Sequence, residues 1–237
     1  MGERRSSDRV LTIRVCVAIP PKTVEEAIEL LQTANALHPD LIEIRLDSLK
    51  KHDCIKEIVS CTKIPLIATN KSKEQHGDFL GTETERQKIL FDAIQNGFEY
   101  VDVDLGTPNQ VQLIQSFRDA GAKVIVSFHD FKKTPTLPEL KKIQNEISAL
   151  GADVCKIITT AKSMEDNLVV LNFVSEFSKQ YKLVCFAMGD FGKTSRLLSP
   201  VFGAFFTFAC LDEKRKTAKG QLTLQEMKLA YQTLGLK

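Results

Sequence analysis

Polar and apolar positions along this chain follow two periods that take turns. Short apolar runs with a period of two alternate with longer stretches whose apolar positions recur every three to four residues, the signatures of strands and of amphipathic helices. LTIRVCVAI (11–19), DLIEIRLDSL (40–49), IPLIATNK (64–71), EYVDVDL (99–105), AKVIVSFHDF (122–131), ADVCKIITT (152–160), KLVCFAM (182–188) and residues 204–211 read as eight strands. Helices are predicted over 23–36, 53–61, 83–95, 109–120, 137–150, 164–180, a short stretch from Thr194, and 223–234, with Thr23 and Glu26 spaced as a capping box. Strand and helix alternate eight times at a repeat of about 30 residues, which predicts an α/β protein of one domain, a (β/α)8 TIM barrel over residues 11–237, after a polar leader at 1–10.

The faces of the strands sharpen that reading. Ile42, Ile44 and Leu46 share one side of the second strand while Glu43, Arg45 and Asp47 share the other; in the fourth, Val101, Val103 and Leu105 oppose Tyr100, Asp102 and Asp104. A doubly wound sheet would cover both faces with helices and show near-continuous apolar runs. Charges on one face suit instead a barrel interior that opens onto a polar cavity. Left unpaired in a core they would cost several kcal/mol each, so they pair, meet a ligand or reach water. Because the inward faces of a barrel converge, Glu43, Arg45, Asp47, Lys71, Asp102, Asp104, His129 and Lys156 are expected to be neighbours. They form either a bracing set of ion pairs or a binding site.

Lys156 carries the chemistry of that cluster. It shares a strand face with Val154 and Ile158, and burial disfavours the charged form of an amine. A neutral amine is the nucleophile that imine formation with a ketone requires. The plainer alternative is a lysine whose ammonium snorkels to water. His129 lies inward on the adjacent strand with Ile125 and Ser127, and imidazole can take and return a proton near neutrality. His38, His52 and His76 fall in helix ends and loops, and with neither HxH nor HExxH spacing no metal site is expected. The turn MGDFGKTSR (188–196) places Gly189 and Gly192 before a helix, where backbone amides could hold an anion, and Arg196 could clamp a carboxylate.

Composition excludes more than it suggests. Lys plus Arg at 32 against Asp plus Glu at 30 leaves a net charge of +2, so nothing favours nucleic acid or anionic lipid as a partner. The charged opening and Arg14 within the first apolar run argue against a signal peptide or a membrane span, and a cytoplasmic protein is expected. The six cysteines show no CxxC spacing, and Cys16, Cys155, Cys185 and Cys210 fall in apolar strands, as reduced core thiols do.

EIRLD at 43–47, YVDVDL at 100–105, SFHDF at 127–131, DVCKI at 153–157, MGDFGKTSR at 188–196 and FGAFFTFA at 202–209 together resemble the type I 3-dehydroquinate dehydratases, the Schiff-base enzymes of the shikimate pathway of aromatic amino acid biosynthesis. The resemblance spans nearly the whole chain. It implies a (β/α)8 homodimer without metal or organic cofactor, acting on 3-dehydroquinate to give 3-dehydroshikimate and water. It implies Lys156 as the imine-forming lysine, His129 as general acid and base, and Glu43, Arg45 and Lys71 as substrate contacts. Arg196 would clamp the carboxylate, Thr217 and Gln221 would act from a lid segment, and Gln75, Asp104 and Met188 would assist. Two places depart from the family pattern. An Arg-x-x-x-Glu-Gly-Gly loop is replaced by Lys71, Gln75, His76 and Gly77, with Glu74 or Asp78 as candidate replacements for the missing acid. The Ser-Ala-Pro-Gly-Gln lid becomes Thr217, Ala218, Lys219, Gly220 and Gln221, without its stiffening proline. The rival readings are a class I aldolase and a weakened barrel that binds quinate-like ligands as a sensor.

Overall fold

The computed structural model describes residues 13–236; the leader at 1–10 and the first two positions of the first expected strand lie outside the described residues. Eight strands and eight helices alternate: β1 (Val15–Ile19), α1 (Val24–Leu37), β2 (Leu41–Arg45), α2 (Ile55–Ser60), β3 (Leu66–Thr69), α3 (Glu83–Gln95), β4 (Tyr100–Asp104), α4 (Gln110–Asp119), β5 (Lys123–His129), α5 (Leu137–Ala149), β6 (Val154–Thr160), α6 (Asp166–Phe177), β7 (Leu183–Met188), α7 (Lys193–Leu198), β8 (Thr207–Cys210) and α8 (Leu224–Thr233). Every ladder is parallel, in the order β7-β6-β5-β4-β3-β2-β1-β8. The last side of the ring is a seam: β7 and β8 share no ladder, and the backbone bond from Phe205 N to Leu183 O (2.7 Å) joins the segment leading into β8 to the first residue of β7. The architecture is a nearly closed (β/α)8 TIM barrel.

Alternation along each strand builds two cores. Outward residues such as Val17, Ile42, Ile44, Val101 and Val103 pack beneath the helices. Inward residues Leu41, Ile67, Tyr100, Ile125, Val154 and Phe206 plug the N-terminal half of the barrel. At β2, β4 and β6 the next inward positions are Glu43, Asp102 and Lys156, so the interior turns polar toward the C-terminal ends of the strands.

Helix starts follow their sequence signals. Thr82 with Glu85, Thr136 with Glu139 and Thr223 with Glu226 form capping boxes at α3, α5 and α8. The expected box at α1 is half made: Thr23 accepts from Glu26 N, but the Glu26 carboxylate reaches back to Lys22 N (2.7 Å) instead of Thr23 N. The second strand ends earlier than its pattern suggested. A single 3-10 turn, Leu46–Ser48, takes over after Arg45 and is held by Ser48 Oγ, which donates to Arg45 O (2.6 Å).

Candidate active site

The C-terminal mouth of the barrel holds an open cleft of about 630 Å³, a volume that includes the part open to solvent. Both residues expected to do chemistry line it. Lys156 arrives on β6, where it is the partner of Ser127 on β5, and His129 stands two residues further along β5. Glu43, Arg45, Lys71, Gln75, Met188, Arg196, Thr217 and Gln221, all expected from the sequence, line the same cavity. Asp104 does not; it is buried below, among the partners of Lys71.

The floor of the cavity is an ionic network built around Asp102. Lys156 Nζ donates to Asp102 Oδ2 at 2.9 Å and lies 3.4 Å from Glu43 Oε1. Lys71 Nζ donates to the other oxygen, Asp102 Oδ1, at 2.6 Å, to Ser127 Oγ at 2.9 Å, and to Asp104. One carboxylate thus bridges two buried ammonium groups. Burial would raise the Asp102 carboxyl, but the ammoniums of Lys156 and Lys71 outweigh it and hold the group well below the usual carboxylate range.

This arrangement corrects the expected state of Lys156. Burial does push toward the neutral amine, yet Asp102 and Glu43 push harder the other way, and the group lies above its ordinary value. In the free protein residue 156 is an ammonium, packed 4.5 Å from the ring centre of Phe208. His129 behaves oppositely. Enclosure and the nearby charges of Lys71 and Lys156 hold its imidazole well below the ordinary value, so it is neutral at pH 7 and able to accept a proton.

Arg196 is the most exceptional group in the site. It stands on α7, between β7 and β8 in the chain, and its guanidinium lies 4.1 Å from the ring centre of Phe186 on β7 while Nη1 donates to Phe208 O on β8 (3.4 Å). The side chain therefore enters through the unladdered seam. It is 1% exposed, and Nε and Nη2 have no partner among the described residues. Burial without a counter-charge pushes it down to about 9. An unpaired cation facing a cavity is a site for an anion, and its planar fork matches a carboxylate.

Several expected contacts are already engaged. Arg45 pairs with Asp47 through two bonds (2.9 and 2.7 Å), and Asp47 accepts from Asp78 N at 3.0 Å. Asp47, expected on the inward face, stands in the 3-10 turn behind Arg45 because the strand has ended. Gln221 Oε1 accepts from Thr217 N (2.7 Å) and Nε2 donates to Thr217 Oγ1 (3.0 Å), so the amide shapes its own loop. Neither Glu74 nor Asp78 replaces the missing acid: neither lines the cavity, and Asp78 pairs outside it with Lys73 (3.2 Å). The sequence reading left out Phe186 and Phe208, which period-two alternation could have found. As site residues it also left out Phe131, which continues the period-two face of Ser127 and His129 just past the end of β5, His76, a loop position with no periodic signal, and the cavity-lining Thr69, which donates to Glu43 (2.9 Å).

A model of the type I 3-dehydroquinase family matches residues 15–237. The chain belongs to the type I 3-dehydroquinase family. Curated members of this family of shikimate-pathway hydro-lyases are similar over most of their length. A 3-dehydroquinate dehydratase of Dehalococcoides mccartyi is 35% identical over 192 residues, covering 81% of this chain and 85% of that one. One from Methanococcus maripaludis is 32% identical over 216 residues, 90% and 96% of the two chains. A solved type I 3-dehydroquinate dehydratase from Clostridium difficile, described with covalently modified comenic acid, superposes with a TM-score of 0.85 at 26% identity over 95% of this chain and 94% of that one.

Proposed function

We propose that this chain dehydrates 3-dehydroquinate to 3-dehydroshikimate and water through an imine on Lys156, with His129 moving the protons. The observation that carries the reading is the unpaired guanidinium of Arg196 facing the cavity that Lys156 and His129 also line. A small ketone bearing a carboxylate complements that wall: Arg196 takes the carboxylate and the ring carbonyl meets the amine. Membership of the family and the covalent modification described for the Clostridium difficile relative support covalent chemistry here.

The cycle begins with an ammonium, so Lys156 first gives up a proton. Its amine then adds to the C3 ketone, and loss of water leaves an iminium. That cation draws electrons from the neighbouring C2–H bond, so neutral His129 is basic enough to remove the proton. The enamine expels the C1 hydroxyl, which leaves as water on taking the proton from His129. Water then cleaves the product imine and frees the lysine. Acid–base assistance of this kind contributes about 10² to 10⁴-fold, and covalent activation supplies the rest. Glu43, 3.4 Å from the amine and accepting from Thr69 at 2.9 Å, holds Lys156 in line.

Borohydride added with 3-dehydroquinate tests the reading. A reduced adduct on the peptide that carries Lys156, its loss in Lys156→Ala, and an adduct with slowed turnover in His129→Ala are the expected results. Binding without any adduct would favour the sensor reading, and an adduct on another lysine would overturn the assignment. Two further readings belong here. A homodimer, expected from the family resemblance, is checked by light scattering of the eluted peak. Cytoplasmic action fits a chain in which no described helix is long and apolar enough to cross a membrane.

A further inference from the structure

Deepening the reading of His129 as the proton-moving group, on which it rests, we propose that His76 and Phe131 orient the His129 ring. His76 is then a positioning residue in the loop after β3. The three rings form a contiguous row along the cavity mouth, His129 and Phe131 stacked and His76 tilted by 40° against Phe131. Phe131 lies nearly parallel to His129, with ring centres 5.7 Å apart and planes 9° apart, and His76 covers Phe131 at 4.0 Å. All three line the cavity. No hydrogen bond to the His129 ring is present among the described residues, so packing fixes its rotation about χ2, a broad torsion with little preference of its own.

The far end of the row is anchored. His76 follows the 3-10 turn Lys73–Gln75 in a left-handed conformation (φ 58°), which glycine would adopt at less cost. Its amide donates to Lys73 O (3.1 Å). At Gly77 the loop folds onto Lys71 so closely that a Cβ would lie 2.1 Å from Lys71 O. Asp78 N then donates to Asp47, itself held by Arg45. The turn thus fixes where the His76 side chain leaves the backbone, and the bonds from Asp78 to Asp47 and from Asp47 to Arg45 tie it to β2. What His76 touches is Phe131. In a site where one acid–base group needs alignment within about half an ångström, a ring carried on a braced backbone turn and laid against Phe131 contributes to that alignment although both rings are partly open to solvent.

Kinetics of His76→Ala, His76→Phe, His76→Gln and Phe131→Leu with 3-dehydroquinate, each compared below its own melting temperature, decide the matter. His76→Ala and Phe131→Leu are expected to lower kcat roughly tenfold with KM within about twofold, while the borohydride adduct on Lys156 still forms. His76→Phe should restore most of kcat and His76→Gln should not, and the ring-proton resonances of His129 should move in His76→Ala. Full kcat in His76→Ala, unmoved His129 resonances, an effect confined to KM, or rescue by glutamine rather than phenylalanine would each overturn the proposal, the last two pointing to a direct substrate contact. Retained turnover in His129→Ala would sink the underlying acid–base reading instead, and the His129 resonances in His76→Ala would still decide whether the row of rings exists.

Discussion

Arg196 and His129 show how far a single residue's environment can depart from its ordinary one. Burial without a counter-ion is costly for the Arg196 guanidinium, and on the proposed reading the substrate carboxylate supplies the missing partner. Arg196→Met, similar in length and apolar, should therefore raise the stability of the ligand-free chain by ~1–3 kcal/mol while lowering kcat/KM about 10² to 10³-fold, the loss of a charge-assisted bidentate contact. Calorimetry and steady-state kinetics on one preparation test both halves; a variant that loses stability would mean that the guanidinium is compensated in the resting protein by more than its bond to Phe208 O. The proton affinity of His129 is depressed, so as pH falls it stays neutral below the ordinary value of about 6.5, and the acid limb of kcat/KM should have its midpoint under that figure. Lys71 is one cause of the depression, so Lys71→Met should move that limb to higher pH. A limb that stayed in place would remove Lys71 from the electrostatics of the base.

At the scale of elements, loops close the site and are what the sequence disclosed least. The segment Thr217–Gln221 is tied to the turn after β7: Gly189 N donates to Lys219 O (3.2 Å), and Gly220, at φ 76°, sits where a Cβ would fall 2.2 Å from Gly189 O. Gly220→Ala should push this segment off the turn and raise KM several-fold with a smaller change in kcat, since Lys156 and His129 stand on strands that do not move with it. Equal losses in both constants would place the loop in the chemical step. The same division explains what was legible. Period-two alternation was enough to place Glu43, Lys156 and His129 on inward faces, because strand geometry leaves a side chain only two directions. It misplaced Asp47, where a 3-10 turn cut the alternation short, and it could not bring His76 to Phe131, because two loops meet there and no local period encodes the meeting. The charge state of Lys156 was misjudged for a related reason. Burial can be read from one strand, whereas the counter-charges Asp102 and Glu43 come from β4 and β2.

Across the whole molecule, the nearly closed ring converts those separate strands into one electrostatic unit. Glu43 from β2, Lys71 after β3, Asp102 and Asp104 from β4, Ser127 from β5 and Lys156 from β6 meet inside the barrel, with Asp102 bonded to both ammoniums. Asp102→Asn keeps the shape and removes the shared charge, leaving two buried ammoniums with less compensation, and should cost ~3–5 kcal/mol. For a chain of this size that is roughly 6–20 °C in melting temperature. The pH dependence fixes the cause. A carboxylate held below its ordinary value contributes stability that is present above about pH 4 and is lost as pH falls further, so the gap between wild type and variant should be wide at neutrality and shrink in acid. The same substitution removes the largest influence holding Lys156 protonated, so imine formation should begin at lower pH in the variant even though the fold is weaker. Borohydride trapping measured against pH separates the two effects. An adduct that forms earlier in pH, on a less stable chain, would mean that the charge bracing the barrel also keeps its nucleophile at rest. Unchanged trapping would assign Asp102 to stability alone.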